Sequence, residues 1–204
     1  MGLWSRREIL KQIGITIGVA AGLPLPARAQ ARTQGLAAVG NALVSLTPAE
    51  AETLRAIVAR LIPADENGPG ALEARADRFI DRGLAGALKA QRAAYTAGLA
   101  ALDASAQSSK GASFAKLSPA DQDAVLTAMQ TQNGTFFTLV RNHTIQGTFS
   151  DPFYGGNENF AGWNLIGYPG ARIVVSANLQ RMDIKPDSSH KSAYDYGMFN
   201  KGEI

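Results

Sequence analysis

The chain has 204 residues, 20 Lys and Arg against 17 Asp and Glu, no cysteine and two histidines. Without cysteine there are no disulfides, iron–sulfur clusters, zinc–thiolate sites or C-x-x-C-H haem attachments, and His143 and His190 alone cannot build a His-rich metal site within one copy. Residues 1–29 hold four basic residues and one acidic, the whole of the net charge of +3; the remainder is neutral, with no polybasic footprint for nucleic acid.

The first segment is itself a pattern. Ser5-Arg6-Arg7-Glu8-Ile9-Leu10-Lys11 precedes an apolar stretch from Ile13 to Leu25 and the small-residue ending Ala27-Arg28-Ala29. A basic start, a short apolar middle and an A-x-A site form a bacterial export signal. The adjacent Arg6 and Arg7 make it a twin-arginine signal, with cleavage expected after Ala29 and the twin-arginine translocase as a partner. The apolar middle is shorter than the roughly 20 residues that span a membrane. Twin-arginine export carries proteins already folded, usually around a cofactor, and the residues beyond Ala29 show no motif to hold one.

Residues 30–45 read as a small-residue linker. At Leu46-Thr47-Pro48-Ala49-Glu50 a helix begins: Thr47 caps, Pro48 suits the first helical position and Glu50 completes a capping box. Leu54, Ile57, Val58, Leu61 and Ile62 place an apolar stripe on one face, and Pro63 stops it. Asp65-Glu66-Asn67-Gly68 is then a turn; its oxygens lack the spaced ladder of a calcium loop.

A second helical stretch is predicted over 71–103, with Leu72, Phe79, Ile80, Leu84, Leu88, Tyr95, Leu99 and Leu102 apolar, and Gly83 and Gly86 arguing against one continuous rod. Residues 107–113 read as a polar connector. Ser118-Pro119-Ala120-Asp121 starts another helix with Val125, Leu126 and Met129 on its inner face. Phe136 to Ile145 is predicted helical. From Gly147 to Gly170 the chain is dense in glycine and aromatic residues and has no regular period. The tail, 171–204, offers a short strand or helix only at Ile173–Val175 and is otherwise polar and irregular. The fold class is thus mainly α, four or five helices with a long aromatic and glycine-rich irregular segment.

Disordered segments are poor in aromatic residues, so the 147–170 segment is expected to be ordered. Phe149, Tyr154, Trp163 and Tyr168 supply large contact area, either to complete the core or to anchor a partner. His143, at the end of an apolar helix, satisfies a buried hydrogen bond or caps a carbonyl more readily than it serves as a general base. Asp151 ahead of Pro152 suits an Asx-type turn, which explains it more simply than a cation site with Asn157, Glu158 and Asn159. No G-x-G-x-x-G phosphate cradle and no G-x-S-x-G nucleophile elbow is present.

Residues 46–170 resemble the gluconate 2-dehydrogenase subunit 3 family, the small gamma subunit of membrane-associated flavin dehydrogenases. The resemblance rests on the Leu46-Thr47-Pro48 helix ending in Leu61-Ile62-Pro63, on His143-Thr144-Ile145-Gln146-Gly147-Thr148-Phe149-Ser150-Asp151-Pro152-Phe153-Tyr154-Gly155-Gly156-Asn157, and on Gly162-Trp163-Asn164-Leu165-Ile166-Gly167-Tyr168-Pro169-Gly170. It implies a three-part periplasmic enzyme. A glucose–methanol–choline-type flavoprotein with FAD oxidises a sugar, sugar acid or polyol, and a multihaem c-type cytochrome takes the electrons. The small subunit is non-catalytic and holds no cofactor or metal; it binds the flavoprotein, supports its maturation and supplies its export signal. The rival readings are a stand-alone exported hydrolase using His143, and a self-sufficient structural or ligand-binding protein.

Changing Arg6 and Arg7 together to lysine is expected to abolish export of this chain and its companion, as read by fractionating periplasm from cytoplasm. Continued export of the companion would separate the two proteins' routes.

Overall fold

A computed structural model describes residues 42–199, and the regular elements among them are all helical. The export motif with Arg6, Arg7, Ala27 and Ala29, and most of the linker, lie outside the described residues. Six α-helices follow in order: α1 (Pro48–Leu61), α2 (Ala76–Ala85), α3 (Arg92–Lys110), α4 (Pro119–Gln132), α5 (Gly134–Phe149) and a single short α6 (Ala161–Ile166). The mainly helical class stands, with one short helix more than the four or five expected.

The start of α1 is as its residues dictate. The Thr47 hydroxyl accepts the Glu50 N–H, the Glu50 carboxylate accepts the Thr47 N–H at 2.8 Å, and Pro48 occupies the first turn, where its missing donor is not needed. Leu54, Ile57 and Val58 are completely buried, each contributing about 1.5–3 kcal/mol of apolar burial. The α1 helix packs against α2, α3, α4 and α5, so its single stripe feeds one core.

The stretch predicted over 71–103 divides. The α2 helix ends where Gly86 leaves helical geometry, Gly83 O accepts the N–H of both Gly86 and Leu88, and a 3-10 turn (Lys89–Gln91) leads into α3. The α3 helix runs on to Lys110 before Gly111 closes it, so most of the supposed polar connector is an exposed helical end. Polarity there reports solvent, not a break. Tyr95, Leu99, Leu102 and Ala106 form its buried face, and Tyr95 meets the Phe136 ring edge-on at 5.7 Å.

The α4 helix starts with Ser118 accepting the Asp121 N–H, but the Asp121 carboxylate takes the Ser118 hydroxyl rather than its backbone N–H. The α5 helix passes four residues beyond Ile145, the last residue of the predicted span. The Thr144 hydroxyl donates to the Val140 carbonyl and the Thr148 hydroxyl to the Thr144 carbonyl, so a run that reads as polar is buried without unmet bonds. Its extra turn lies along α2, the helix it packs against most extensively.

Charged side chains tie the elements. Arg92 grips the Glu50 carboxylate with both terminal nitrogens, at 2.9 and 2.7 Å, and this guanidinium pulls the Glu50 carboxyl down to about 2. Arg60 makes a bidentate pair with Asp123 on α4, both bonds 2.6 Å. Asp81 of α2 is buried and accepts three main-chain N–H groups, from Val44 at 2.8 Å, Ser45 at 2.9 Å and Leu46 at 2.8 Å. Val44 and Ser45, which read as the end of the linker, are thereby fixed to the helical body. Asp81→Ala would leave those donors without an acceptor; it is expected to destabilise the domain by about 3 kcal/mol, measured by urea unfolding.

Candidate functional site

The aromatic and glycine-rich segment leaves α5 through Asp151. Its carboxylate accepts the Phe153 N–H at 2.9 Å, the Asx-type turn expected there, and opens a 3-10 turn (Pro152–Tyr154). The chain then folds back onto the end of α5 and is locked by Asn157, which is completely buried. Its side-chain oxygen accepts the N–H of Gly162 at 2.8 Å and of Trp163 at 3.3 Å, its amide nitrogen donates to Ser150 O at 2.9 Å, and its backbone N–H donates to Gly147 O at 2.7 Å. One side chain thus holds both ends of the loop.

Two glycines make this approach possible. A Cβ on Gly162 would overlap the Thr148 carbonyl oxygen, and one on Gly156 would overlap that of Gly147. Asn157, Asn159 and Phe160 have φ of 48°, 52° and 59°, left-handed values that cost non-glycine residues energy and persist only where surroundings enforce them. Another 3-10 turn (Glu158–Phe160) and then α6 follow, so the segment expected to lack any period contains three short helical pieces. They escape a periodicity search because each is a turn or two long.

The four aromatic candidates divide by environment. Trp163 is 6% exposed and donates its indole N–H to Phe149 O at 2.9 Å. Phe149 is half-buried against the core. Tyr168 lies edge-on to Trp163 at 4.8 Å and remains 42% exposed. Tyr154, also 42% exposed, belongs to another aromatic group, with Phe153 and Tyr194. Phe149 and Trp163 therefore support the segment from inside, while Tyr154 and Tyr168 face outward.

The tail takes part in this site, which its polar sequence does not announce. Ser192 donates its hydroxyl to Asp151 at 2.6 Å and Ala193 donates its N–H to the other carboxylate oxygen at 2.9 Å. Tyr194 stacks on Phe153 with centroids 3.7 Å apart, and its hydroxyl is 2.9 Å from that of Tyr154. His190 stacks on Phe160 and bonds Asn164 at 3.1 Å. The one sequence trace of this strap is Ser192 with Asp195 three positions on, which forms a capping box around a 3-10 turn (Ala193–Asp195). Ile173–Val175 form neither strand nor helix; with no strand among the described residues to pair with, three β-branched residues make no ladder.

His143 takes the buried bond. It sits on α5 with its Nδ1 2.9 Å from the Tyr95 hydroxyl, the two rings nearly parallel. Burial lowers its pKa from the ordinary 6.5 and raises that of Tyr95. The folded state therefore favours neutral imidazole: the contribution is complete above 6.5 and is lost as pH falls from there through the folded value. Among the described residues no carboxylate bonds His143, and no three metal-ligating side chains cluster. The Asp65 carboxylate accepts the Asn67 N–H at 2.7 Å, a tight polar turn as its sequence indicates.

In the isolated domain, Trp163→Ala is expected to cost about 3–5 kcal/mol and Tyr168→Ala about 1 kcal/mol or less, both read by chemical unfolding. Equal losses would show that Tyr168 is as much a core residue as Trp163.

The family model for gluconate 2-dehydrogenase subunit 3 matches residues 48–170, from the first residue of α1 to the glycine that ends the aromatic segment. Comparison with curated proteins and with solved structures gave no match. The matched region takes in the whole helical body and the Asn157-locked loop, and the chain belongs to the gluconate 2-dehydrogenase subunit 3 family.

Proposed function

We propose that this chain is the non-catalytic small subunit of a periplasmic, FAD-dependent dehydrogenase of the glucose–methanol–choline type that oxidises a sugar, sugar acid or polyol. FAD belongs to the large flavoprotein subunit and haem c to a multihaem cytochrome subunit. The chain binds the folded flavoprotein, supports its maturation, and carries it through the twin-arginine translocase on the signal with Arg6 and Arg7.

Besides membership of a family named for a dehydrogenase subunit, one observation carries this reading. Among the described residues, every exposed large apolar side chain except Val44 lies between Tyr154 and Phe199. Such side chains scattered singly need no explanation, but their gathering into this one stretch of the chain supports an interaction surface here. Tyr154 and Tyr168, aromatic residues with polar tips, are of the type that anchors interfaces. A subunit that buries this surface only on the folded flavoprotein stabilises the folded form by mass action. Folding before export also accounts for the twin-arginine motif on a chain with no cofactor motif of its own. The His143–Tyr95 bond places the imidazole in the core, which favours this reading over a hydrolase.

Expressed without this chain, the partner flavoprotein is expected to lose flavin loading, periplasmic recovery or both. Flavin absorbance per polypeptide and cell fractionation check this. Full loading and normal export in its absence would overturn the proposal.

A further inference from the structure

Beyond Gly170 the chain leaves the region matched to the family and makes an excursion that is closed at its base. Ser189 donates its N–H to Pro169 O at 2.7 Å, and Ala171 donates its N–H to Lys191 O at 3.0 Å. The Tyr196 hydroxyl donates to Ala171 O at 2.8 Å, and the Arg172 guanidinium donates to the carbonyl of Asp187. Residues 172–188 thus form an Ω-type loop on a stapled base, continuous with the strap that covers Phe153 and Phe160.

Loops of this kind ordinarily pack their own side chains inside. Here Ile173, Val174, Val175, Met182 and Ile184 are all exposed, Val174 at 78% and Met182 completely. The hydrogen bonds that close the base involve none of these side chains, so they are not needed to close it. We infer that loop 172–188 is a docking arm, added outside the family's domain, that inserts its apolar side chains into an apolar groove of the dehydrogenase flavoprotein subunit; this rests on the small-subunit reading above.

A protein groove fits the loop better than a lipid surface does. The N–H groups of Ile173, Val174 and Val175 make no hydrogen bond among the described residues. A protein partner can accept them, whereas hydrocarbon cannot. The loop has no aromatic residue and sets Asp183 and Asp187 against Arg172, Arg181 and Lys185. Arg181 is paired with Asp183 at 2.6 Å, so the basic cluster and aromatic anchors that hold proteins on anionic membranes are missing. The base follows directly on Ile166 and Tyr168, which are exposed and belong to the surface proposed for the flavoprotein, so the same partner can cover both.

The test is the triple variant Val174→Ser, Met182→Ser, Ile184→Ser in the full chain, with the purified FAD-dependent dehydrogenase flavoprotein of the same organism as probe. Affinity for the purified flavoprotein is expected to weaken at least tenfold, with the thermal midpoint of the free variant unchanged because all three side chains are exposed. Undiminished affinity in the variant, beside clear binding by the unaltered chain, would overturn the docking arm and leave the small-subunit reading intact. Failure of the unaltered chain to bind would instead remove that reading. Two further outcomes overturn the arm if flavoprotein affinity is unchanged. One is loss of flotation with phosphatidylcholine–phosphatidylglycerol vesicles, and the other is loss of self-association in sedimentation.

Discussion

The backbone-to-backbone contact between the glycine-rich loop and the last turns of α5 is the constraint on which the rest of the candidate site depends. Gly156 and Gly162 each lie where a Cβ would overlap a carbonyl of that helix. Asn157 fills the space between and bonds Gly147, Ser150, Gly162 and Trp163. Because the loop sits so close, Trp163 reaches the Phe149 carbonyl and Tyr168 is left leaning on Trp163 from outside. Loosening this contact would release both the inner and the outer aromatic residues.

The same device recurs around the molecule. Carboxylates tie down irregular segments by accepting their main-chain N–H groups. Asp81 holds Val44 to Leu46, Asp103 accepts the Phe114 N–H, and Asp151 holds Ala193. An amide bonded to a buried carboxylate is worth more than one bonded to a neutral acceptor. Each such bond pins an irregular strand of chain without requiring it to be helical. In a chain with no cysteine, that is how a long non-repetitive tail comes to be ordered.

This order has a consequence for the proposed function. A surface that docks a large partner gains affinity when it is held in its bound shape beforehand. Tyr154 is positioned by Phe153 and Tyr194, Tyr168 by Trp163, and loop 172–188 by its stapled base. The glycine and aromatic residues of the 147–170 segment are thus largely taken up in shaping that surface. His143, the one imidazole in the apolar run, is taken up in the core with Tyr95.

Local sequence decided what neighbours along the chain can decide. The Thr47-Pro48-Glu50 start, the Leu54-Ile57-Val58-Leu61 stripe, the Ser118 cap and the Asp151 turn each need only residues within a few positions, and each is found as read. The family resemblance was legible too, because the motifs that carry it are runs of adjacent residues and need no knowledge of the fold. Tertiary structure alone decided that α5 continues through Gly147 and Thr148, since that turn gains its burial from α2. It also decided which aromatic residues are inside, and that Ser192 and Tyr194 return to Asp151 and Phe153 across some forty residues. Contacts between groups so distant in sequence leave no period and no cap, so only the folded chain reveals them.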